Sequence, residues 1–219
     1  MKTLKRFLFL FSTCFLLLAV YGTEKVNSQT KETGNDTSLD KRVWDFLNSS
    51  QNSWHDMNVP ESDGQLLYDI IIKNNYKNAV EIGTSTGHSG IWIAWALSKT
   101  GGKLITIEID ERRHKEALAN FEKAGLSKYI DARLADAHQL VPALKGPVDF
   151  VFSDADKNWY INYFKDMDPK LSVGGCFVTH NVGQRNNYGF YEYVSKLTTY
   201  KTTLDIKGAG VAISYKTGN

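Results

Sequence analysis

Charged side chains end an apolar run in the stretch DFVFSDADKNWY, residues 149–160. Asp154 and Lys157 closely follow the run, and charges at the end of a buried strand are costly unless something binds or compensates them. A carboxylate and an ammonium group in this position could bind a metal ion and act on a reacting hydroxyl. Asp156, between them, has a simpler explanation as an acidic residue at a helix N-terminus. The residue types therefore predict a catalytic site at the end of this strand.

Asn181 follows the next predicted strand, residues 175–180. The carboxyl ends of neighbouring parallel strands meet at one edge of a sheet, so Asn181 and Asp154 are expected to lie close together. Carboxylate and amide oxygens are the ligands that a hard cation such as Mg²⁺ prefers. The pair predicts a divalent-metal site, which would orient a hydroxyl and lower its pKa.

The chain around these residues alternates between strands and helices. The β-rich runs are 79–83, 103–109, 129–134, 148–153 and 175–180, and the helical stretches are 88–99, 111–124, 137–144 and 158–168. This alternation predicts a parallel sheet covered on both faces. The runs within 198–206 and at 211–216 are joined by a glycine-rich turn and predict an antiparallel hairpin. The predicted fold class is α/β, a doubly wound, Rossmann-like, mostly parallel seven-stranded sheet with an antiparallel C-terminal hairpin and helices on both faces.

Apolar side chains at helical spacing predict two further helices before the first strand. One includes residues 39–47 and the other residues 66–71. Ser62, which follows Pro60, is predicted to be the N-cap of the second helix. We see no internal repeat and no sign of a second folded domain.

The turn after the first strand is rich in glycine, in the sequence AVEIGTSTGHSG (79–90). Glycine lets the backbone approach a ligand, and a helix N-terminus offers free N–H groups. The Gly-x-x-x-Gly spacing of Gly83 and Gly87 differs from the Gly-x-Gly-x-x-Gly of dinucleotide-binding folds. A tight strand-to-helix connection without a ligand has the same pattern, so this motif alone does not decide.

Two acidic residues at the ends of the following strands favour a nucleoside ligand. Glu108 ends the second strand, where a carboxylate can accept hydrogen bonds from the hydroxyls of a ribose. Asp136 follows the third strand and could receive the amino group of an adenine. Each could instead be a solvated acid at a strand end, but together with the glycine-rich turn they predict a slot of nucleoside shape.

Five segments occur in the order found in one family of enzymes: SDGQLL (62–67), AVEIGTSTGHSG (79–90), LITIEID (104–110), VDFVFSDADKNWY (148–160) and SVGGCFVTHN (172–181). The chain therefore resembles the S-adenosylmethionine-dependent O-methyltransferases of the catechol and caffeoyl-CoA type, over roughly residues 60–216. The resemblance implies a class I methyltransferase that moves a methyl group to a hydroxyl of a small phenolic or catechol-like acceptor. It implies a cofactor site formed by Glu81, Gly83, Ser89, Glu108, Asp136 and Asp154.

The resemblance also implies a catalytic pair and a metal site. Lys157 matches the family's catalytic base, and Asp154 and Asn181 match its metal positions. His180 departs from the family, which usually carries a second aspartate there. A set of Asp154, His180 and Asn181 would favour a softer ion such as Mn²⁺, Fe²⁺ or Zn²⁺ over Mg²⁺. Alternatively there is no metal, and His180 handles the proton together with Lys157. The remaining histidines are interpreted as surface or structural residues: His55, His88, His114 and His138.

The acceptor is poorly specified. Only eight residues, 182–189, separate Asn181 from the next helix. The caffeoyl-CoA enzymes carry a longer insertion there, which argues against a CoA ester. A set of aromatic side chains could line a pocket for a planar phenol, although core positions explain each of them as well: Trp159, Tyr160, Tyr188, Phe190 and Tyr191.

Two other functions stay open. A nicotinamide-dependent oxidoreductase would also place an acid at the second strand end, but the glycine spacing disagrees. A non-catalytic relic would bind the cofactor but have lost its chemistry with the change at His180. The partner expected in each case is a small molecule. The sequence leaves the oligomeric state open, a homodimer included.

The N-terminus predicts export or anchoring. Residues 1–22 carry three basic side chains before an apolar run at 7–20, the order of a secretory signal peptide, with a short uncleaved membrane anchor as the alternative. Residues 23–37 are predicted to be a polar linker and 38–219 the catalytic domain. The predicted location is thus periplasmic, secreted or membrane-anchored, which conflicts with a cofactor made inside cells.

Composition and charge exclude several classes. With 42% hydrophobic and 23% charged residues the chain is neither disordered nor collagen-like. Loss of residues 1–22 would change the net charge from +2 to −1, because that segment contains three basic and no acidic side chains. Neither value is typical of a protein that binds nucleic acid.

Overall fold

The computed structural model describes residues 36–51, 54, 56–182 and 189–219. They belong to one compact unit that runs from Gly34 to Asn219. The predicted signal or anchor (1–22) and nearly all of the predicted linker (23–37) lie outside the described residues. Among the described residues, no helix has the length and apolarity of a membrane span.

Seven strands and seven α-helices follow one another along the described chain. The strands are β1 (Asn78–Ile82), β2 (Lys103–Glu108), β3 (Ile130–Leu134), β4 (Val148–Ser153), β5 (Leu171–His180), β6 (Tyr200–Asp205) and β7 (Val211–Lys216). The helices are α1 (Asp36–Ser49), α2 (Glu61–Asn74), α3 (His88–Thr100), α4 (Glu111–Ala124), α5 (Ala137–Ala143), α6 (Tyr160–Met167) and α7 (Phe190–Val194). Because α1 begins at Asp36, the last two residues of the predicted linker are helical.

The strands form a single sheet in the order β3-β2-β1-β4-β5-β7-β6. The first five strands pair in parallel, whereas β7 pairs antiparallel with both β5 and β6. The chain reverses its direction across the sheet between β3 and β4, so the carboxyl ends of β1 and β4 lie side by side. This is where open α/β sheets bind ligands. The predicted fold class is confirmed.

Helices cover both faces of the sheet because alternate side chains of each strand point to opposite sides. Val151 packs with Tyr163 and Phe164 of α6 on one face. Its neighbours Phe150 and Phe152 pack against α2 and α3 on the other. A further apolar cluster is formed by side chains of α1, α3 and α4. Both faces of the central strands are thereby buried, which explains their continuous apolar runs.

The prediction that Ser62 caps α2 is wrong. The helix begins two residues earlier than predicted, at Glu61, and its N-cap is Pro60, whose carbonyl accepts from the N–H groups of Asp63 and Gly64. Ser62 therefore lies in the first turn, where a backbone N–H needs no helical partner. Its hydroxyl instead lies 3.2 Å from Oδ1 of Asp63.

Candidate active site

A cavity of about 430 Å³ opens at the carboxyl ends of the parallel strands. This volume falls in the range of small-molecule sites. Among the predicted site residues, the cavity is lined by Gly83, Ser89, Glu108, Asp136, Asp154, Lys157, His180 and Asn181. The fold thus brings together eight of the nine residues, and only Glu81 does not line the cavity.

Glu108 is held at the end of β2 by backbone donors. Its Oε2 accepts from the N–H of Ser85 at 2.7 Å, and its Oε1 accepts from Ile109 at 3.0 Å and Asp110 at 2.9 Å. An ionised carboxylate offers about four lone-pair positions. Three are used here, so the carboxylate as placed can accept about one further hydrogen bond, fewer than the two ribose hydroxyls would bring.

Glu81 lies behind the cavity wall rather than in it. It is fully buried, and its carboxylate accepts from Ser89 Oγ at 2.6 Å and Thr106 Oγ1 at 2.5 Å. Burial raises the pKa of Glu81 to about 7, although the two hydroxyl donors act in the opposite direction. Ser89 does line the cavity, so Glu81 is linked to the cavity through the Ser89 hydroxyl that it holds.

The backbone is strained where it borders the cavity. Gly83 has φ +101°, and a Cβ there would come within 2.7 Å of the carbonyl oxygen of Asp154. Four described non-glycine residues have positive φ, and three of them line the cavity: Met57 (φ 48°), Ser85 (φ 50°) and Asn181 (φ 58°). Such conformations cost free energy, so most of a protein avoids them, and they concentrate at functional sites. Asparagine is enriched in this conformation, so Asn181 carries a weak sequence signal, whereas Met57 and Ser85 carry none.

Asp136 and His138, at the start of α5, line another part of the cavity. Asp136 is the N-cap of α5 and accepts from the N–H of His138 at 2.9 Å. The His138 ring lies 4.6 Å from that of Trp159, and its Nε2 is 3.4 Å from Oδ2 of Asp156. Asp156 also caps the 3₁₀ turn at residues 157–159, which confirms its interpretation as an N-terminal acidic residue. Sequence reasoning treated His138 as surface or structural, but it lines the cavity.

Lys157 and Asp154 compensate each other's charge at the end of β4. The Lys157 ammonium lies 2.9 Å from Asp154 Oδ1 and 3.5 Å from the Tyr160 hydroxyl. The side chain of Lys157 is 29% exposed and that of Asp154 is 14% exposed. The ammonium group is thus held beside the cavity while solvent still reaches it.

His180 bridges two carboxylates at the end of β5. Its Nδ1 lies 3.0 Å from Asp154 Oδ2, and its Nε2 lies 2.9 Å from Asp63 Oδ2. The His180 side chain is only 4% exposed. Burial lowers the pKa of His180, but hydrogen bonds to the two carboxylates outweigh burial and raise that pKa to about 9. The raised pKa favours the protonated form of His180 at neutral pH.

Asp63 is a site residue that the sequence reasoning did not single out. Burial raises the pKa of Asp63, but the hydrogen bonds from His180, the N–H of Ala209 and Ser62, together with the charge of His180, outweigh burial and lower that pKa. Ala209 lies in the turn between β6 and β7, and its N–H is 3.0 Å from Asp63 Oδ2. Asp63 therefore joins α2, β5 and the C-terminal hairpin.

The predicted metal ligands lie together, but their donor atoms are engaged by the protein. Both carboxylate oxygens of Asp154 and both ring nitrogens of His180 have partners at 3.0 Å or less. Asn181, the third predicted ligand, makes no such hydrogen bond to Asp154 or His180. Within the described ranges, no group of three His, Cys, Asp or Glu side chains is arranged to hold a metal ion. As arranged, the donor set does not fit a divalent cation.

The predicted aromatic pocket wall is largely core. Tyr160 and Phe190 are fully buried, and their rings lie 6.1 Å apart. Tyr191 packs partly buried against the same core. Trp159 is 39% exposed beside His138, and Tyr188 lies outside the described residues. The core interpretation therefore holds for Tyr160 and Phe190.

A short loop before α2 forms another wall of the cavity. Met57 and Asn58 line it. The carboxylate of Asp56 binds Arg113 Nε at 3.0 Å. The backbone carbonyl of Asp56 accepts from Ser85 Oγ at 2.8 Å. Sequence reasoning missed this loop because it has neither helical nor strand periodicity.

Comparison with known proteins gives one consistent family. A family model described as O-methyltransferase matches residues 37–186. Caffeoyl-CoA O-methyltransferase 2 of Eucalyptus globulus is 36% identical over 133 residues, which cover 58% of this chain and 53% of that protein. Catechol O-methyltransferase of Niastella koreensis is 35% identical over 130 residues, which cover 58% of each chain. The chain spans about half the length of the curated relatives it matches.

Solved structures agree on the fold. The O-methyltransferase from Bacillus cereus, in complex with SAH, superposes with a TM-score of 0.67 and 24% identity, covering 82% of this chain and 90% of that one. At this level of identity the likeness supports the architecture of the sheet and helices and nothing finer.

Proposed function

This chain belongs to the O-methyltransferase family, and from that membership we propose that it transfers a methyl group from S-adenosylmethionine to a hydroxyl of a small phenolic or catechol-like acceptor. The observation that carries the proposal is a single cavity lined by two kinds of residue. Glu108 and Asp136 supply acceptors suited to a nucleoside, and Asp154 and Lys157 lie on the same cavity. A cofactor and an acceptor bound there would be adjacent.

The residues of the glycine-rich turn favour the cofactor's polar groups. S-adenosylmethionine supplies a methyl group on a positively charged sulfur. Ser89, held by Glu81, and the β1–α3 turn at Gly83 would receive its methionine part. Glu108 would accept from the ribose and Asp136 from the adenine amino group. Asp154 lies between these residues and Lys157, where its negative charge would favour a sulfonium.

Lys157 is the proposed base. An ammonium group cannot accept a proton, so Lys157 must first release one to water, and its 29% exposed side chain permits this. The neutral amine then takes the hydroxyl proton of the acceptor. The acceptor oxygen's electron pair forms the new O–CH₃ bond while the S–CH₃ bond breaks and its electrons return to sulfur. The products are a methyl ether, S-adenosylhomocysteine and a protonated Lys157.

The proposed reaction also depends on alignment of the reacting atoms. An in-line displacement requires the acceptor oxygen, the methyl carbon and the sulfur to be collinear, and positioning of this kind accounts for a large share of the barrier reduction. Asp154 and Asn181 border the proposed acceptor position, and Asn181 is fixed by its left-handed backbone. The proposed reaction has no step at a metal ion, because Lys157, Asp63 and the Asp154–His180 contact occupy the donor atoms of Asp154 and His180.

The test is cofactor binding and methyl transfer by the purified full chain. Calorimetry should show binding of S-adenosylmethionine and S-adenosylhomocysteine, and radiolabelled methyl should appear on at least one member of a phenol and catechol panel. Glu108→Gln should weaken cofactor binding by about tenfold through the loss of a charged acceptor, whereas Glu122→Gln, on the exposed face of α4, should not. No binding of either compound by folded protein would refute the proposal.

The alternatives have distinct results. Cofactor binding without turnover on the acceptor panel would favour the non-catalytic relic. A change in ultraviolet absorbance on adding reduced nicotinamide cofactor, without binding of S-adenosylmethionine, would favour the oxidoreductase.

We also propose that residues 1–22 take the chain out of the cytosol or hold it at a membrane through residues 7–20. The order of basic and apolar residues supports this. The domain would then have to meet its cofactor outside the compartment that makes it. Cell fractionation with N-terminal sequencing tests the proposal, and a soluble cytosolic chain that still begins at Met1 would contradict it.

A further inference from the structure

Four charged side chains form a continuous row from α2 to the cavity. Asp63, His180, Asp154 and Lys157 alternate in sign, with successive contacts of 2.9, 3.0 and 2.9 Å. We infer that this row takes the place of a divalent cation: His180 is a positioning residue that fixes Asp154, and the site orients its acceptor without a bound metal. The inference rests on the proposed function for the identity of the acceptor only.

The hydrogen-bonding pattern of His180 excludes it as a metal ligand. Ionised carboxylates accept hydrogen bonds and cannot donate them, so a ring nitrogen that faces one must carry a proton. Both nitrogens of His180 face a carboxylate oxygen within 3.0 Å. Neither nitrogen then keeps a free lone pair in the ring plane, which is the feature that a metal ion requires.

The charges of the row already balance. Asp63 and Asp154 carry two negative charges, and His180 and Lys157 carry two positive ones. Asp63 is 3% exposed, and a buried carboxylate without a partner is strongly destabilising. Of the residues that the structure describes, His180 is the cationic side chain that contacts it. A divalent cation inserted between Asp154 and His180 would break this pairing and leave the row with excess positive charge.

The surrounding fold holds Asp63 in this position. The hairpin turn places the N–H of Ala209 on Asp63 Oδ2 at 3.0 Å. Gly208, the residue before it, has no side chain where one would overlap the Asp63 carboxyl group. The contact between the turn and α2 is therefore shaped around a carboxylate that faces His180.

The first measurement is metal binding by the full chain, independent of activity. The protein is purified without chelator, its Mn, Fe and Zn content is measured by mass spectrometry, and Mn²⁺ is titrated while the electron paramagnetic resonance signal of the free ion is recorded. We expect a metal content far below one ion per chain and an undiminished free-ion signal. A stoichiometric metal that is lost in His180→Ala would overturn the inference.

The second measurement asks whether His180 alone separates this site from a metal site. His180→Asp supplies a carboxylate beside Asp154 and Asn181, an oxygen set suited to Mn²⁺ or Mg²⁺. We expect this variant to gain Mn²⁺ binding. Because three neighbouring carboxylates could prevent folding, the double variant Asp63→Asn/His180→Asp, which has one charge fewer, is made in parallel. His114→Asp, on α4, is the matched control and should remain without Mn²⁺. Folded aspartate variants that all fail to bind Mn²⁺ would count against the inference.

The third measurement separates a positioning role from a structural one. Asp63→Asn removes the charge that holds His180 and should lower kcat by about tenfold or more, as for supporting residues of catalytic groups, with little change in the Kd for S-adenosylmethionine. Turnover of the wild-type chain should be unchanged by EDTA. Loss of wild-type turnover on chelation, restored by one metal, would overturn the inference even if cofactor binding is normal. Absence of cofactor binding would instead refute the proposed function and leave the metal measurements to stand by themselves.

Discussion

Lys157 and Asp154 show how two charges can end a buried strand. Each is the other's partner across 2.9 Å, and both keep some contact with solvent. Partly exposed ion pairs contribute little to stability. The pair instead has a geometric role, because Asp154 holds the amino group of Lys157 at one point of the cavity wall. The sequence predicted both residues for the site but not that they would bind each other.

Lys157→Ala should abolish most of the turnover. Loss of a positioned base typically lowers a rate by a factor of about 10²–10⁴. Cofactor affinity should stay within a few-fold of wild type, because Lys157 is assigned to the acceptor side. Steady-state kinetics with calorimetry on the same preparation measures both, and Lys165→Ala, on the exposed side of α6, is the control. An unchanged kcat would remove Lys157 from the mechanism.

Glu81 makes stability depend on pH in a defined window. Its pKa in the folded protein is about 7, against an ordinary value of 4.5. The folded state therefore holds its proton more tightly than the unfolded state, so the contribution to stability is complete below pH 4.5 and is lost as pH rises through 7. The difference corresponds to about 3 kcal/mol.

Glu81→Gln should remove this pH dependence. Relative to wild type, the variant should gain stability progressively between about pH 4.5 and 7, because it has no proton to lose. Urea denaturation at a series of pH values measures the effect, with Glu122→Gln as the exposed control. If the free energy of unfolding changed with pH in the same way for wild type and Glu81→Gln, ionisation of the buried Glu81 would carry no cost and the prediction would be wrong.

Local sequence rules located most elements but not all of their ends. The predicted helix at 111–124 matches α4 at both ends, because Asp110 caps it and Gly125 ends it in the left-handed conformation. β5 begins at Leu171, four residues before the predicted start at 175. Ser172, Gly174 and Gly175 have weak strand propensity, and pairing with β4 across an irregularity in register extends the strand nevertheless.

The site was predictable where one strand end determines it and hidden where distant segments meet. Glu108 and Asp154 follow strand ends that the sequence shows directly. The role of Asp63 depends on Ala209, which is 146 residues away in the chain. In the sequence, Asp63 therefore looks like an ordinary acidic residue in the first turn of a helix. Periodicity does not report contacts of this range.

Gly208→Ala should destabilise the hairpin and disturb the site. A Cβ at this position overlaps the carboxyl group of Asp63, so either the turn or Asp63 must move. Overpacking of this kind typically costs about 1–3 kcal/mol. The midpoint of chemical denaturation measures the loss. Gly218→Ala is the matched control, since nothing lies within 4 Å of its Cβ. Equal midpoints for the two variants would contradict the close fit around Asp63.

The family was recognisable from five short segments within residues 60–216 because each lies at or near the cavity edge of the sheet or in a helix packed on it. The family match over residues 37–186 confirms that resemblance.

Cofactor binding should stabilise the whole folded unit. A ligand at about 100 times its Kd adds about 2.7 kcal/mol if it binds the folded state alone. For a domain of this size that corresponds to an increase in Tm of about 5–10 °C. Thermal unfolding with S-adenosylhomocysteine measures the shift, and adenosine monophosphate serves as the control ligand. A Tm that does not respond to S-adenosylhomocysteine would argue against the assigned cavity.

The position of β7 has a consequence for synthesis of the protein. β7 follows β6 in the described chain, yet it lies between β5 and β6 in the sheet. While the ribosome is still translating residues before 211, the backbone of β5 has no neighbour on that side, and Asp63 lacks the N–H of Ala209. The sheet of the nascent chain therefore stays open along β5 until β7 has been made, and a product truncated before β7 would expose an unpaired strand edge.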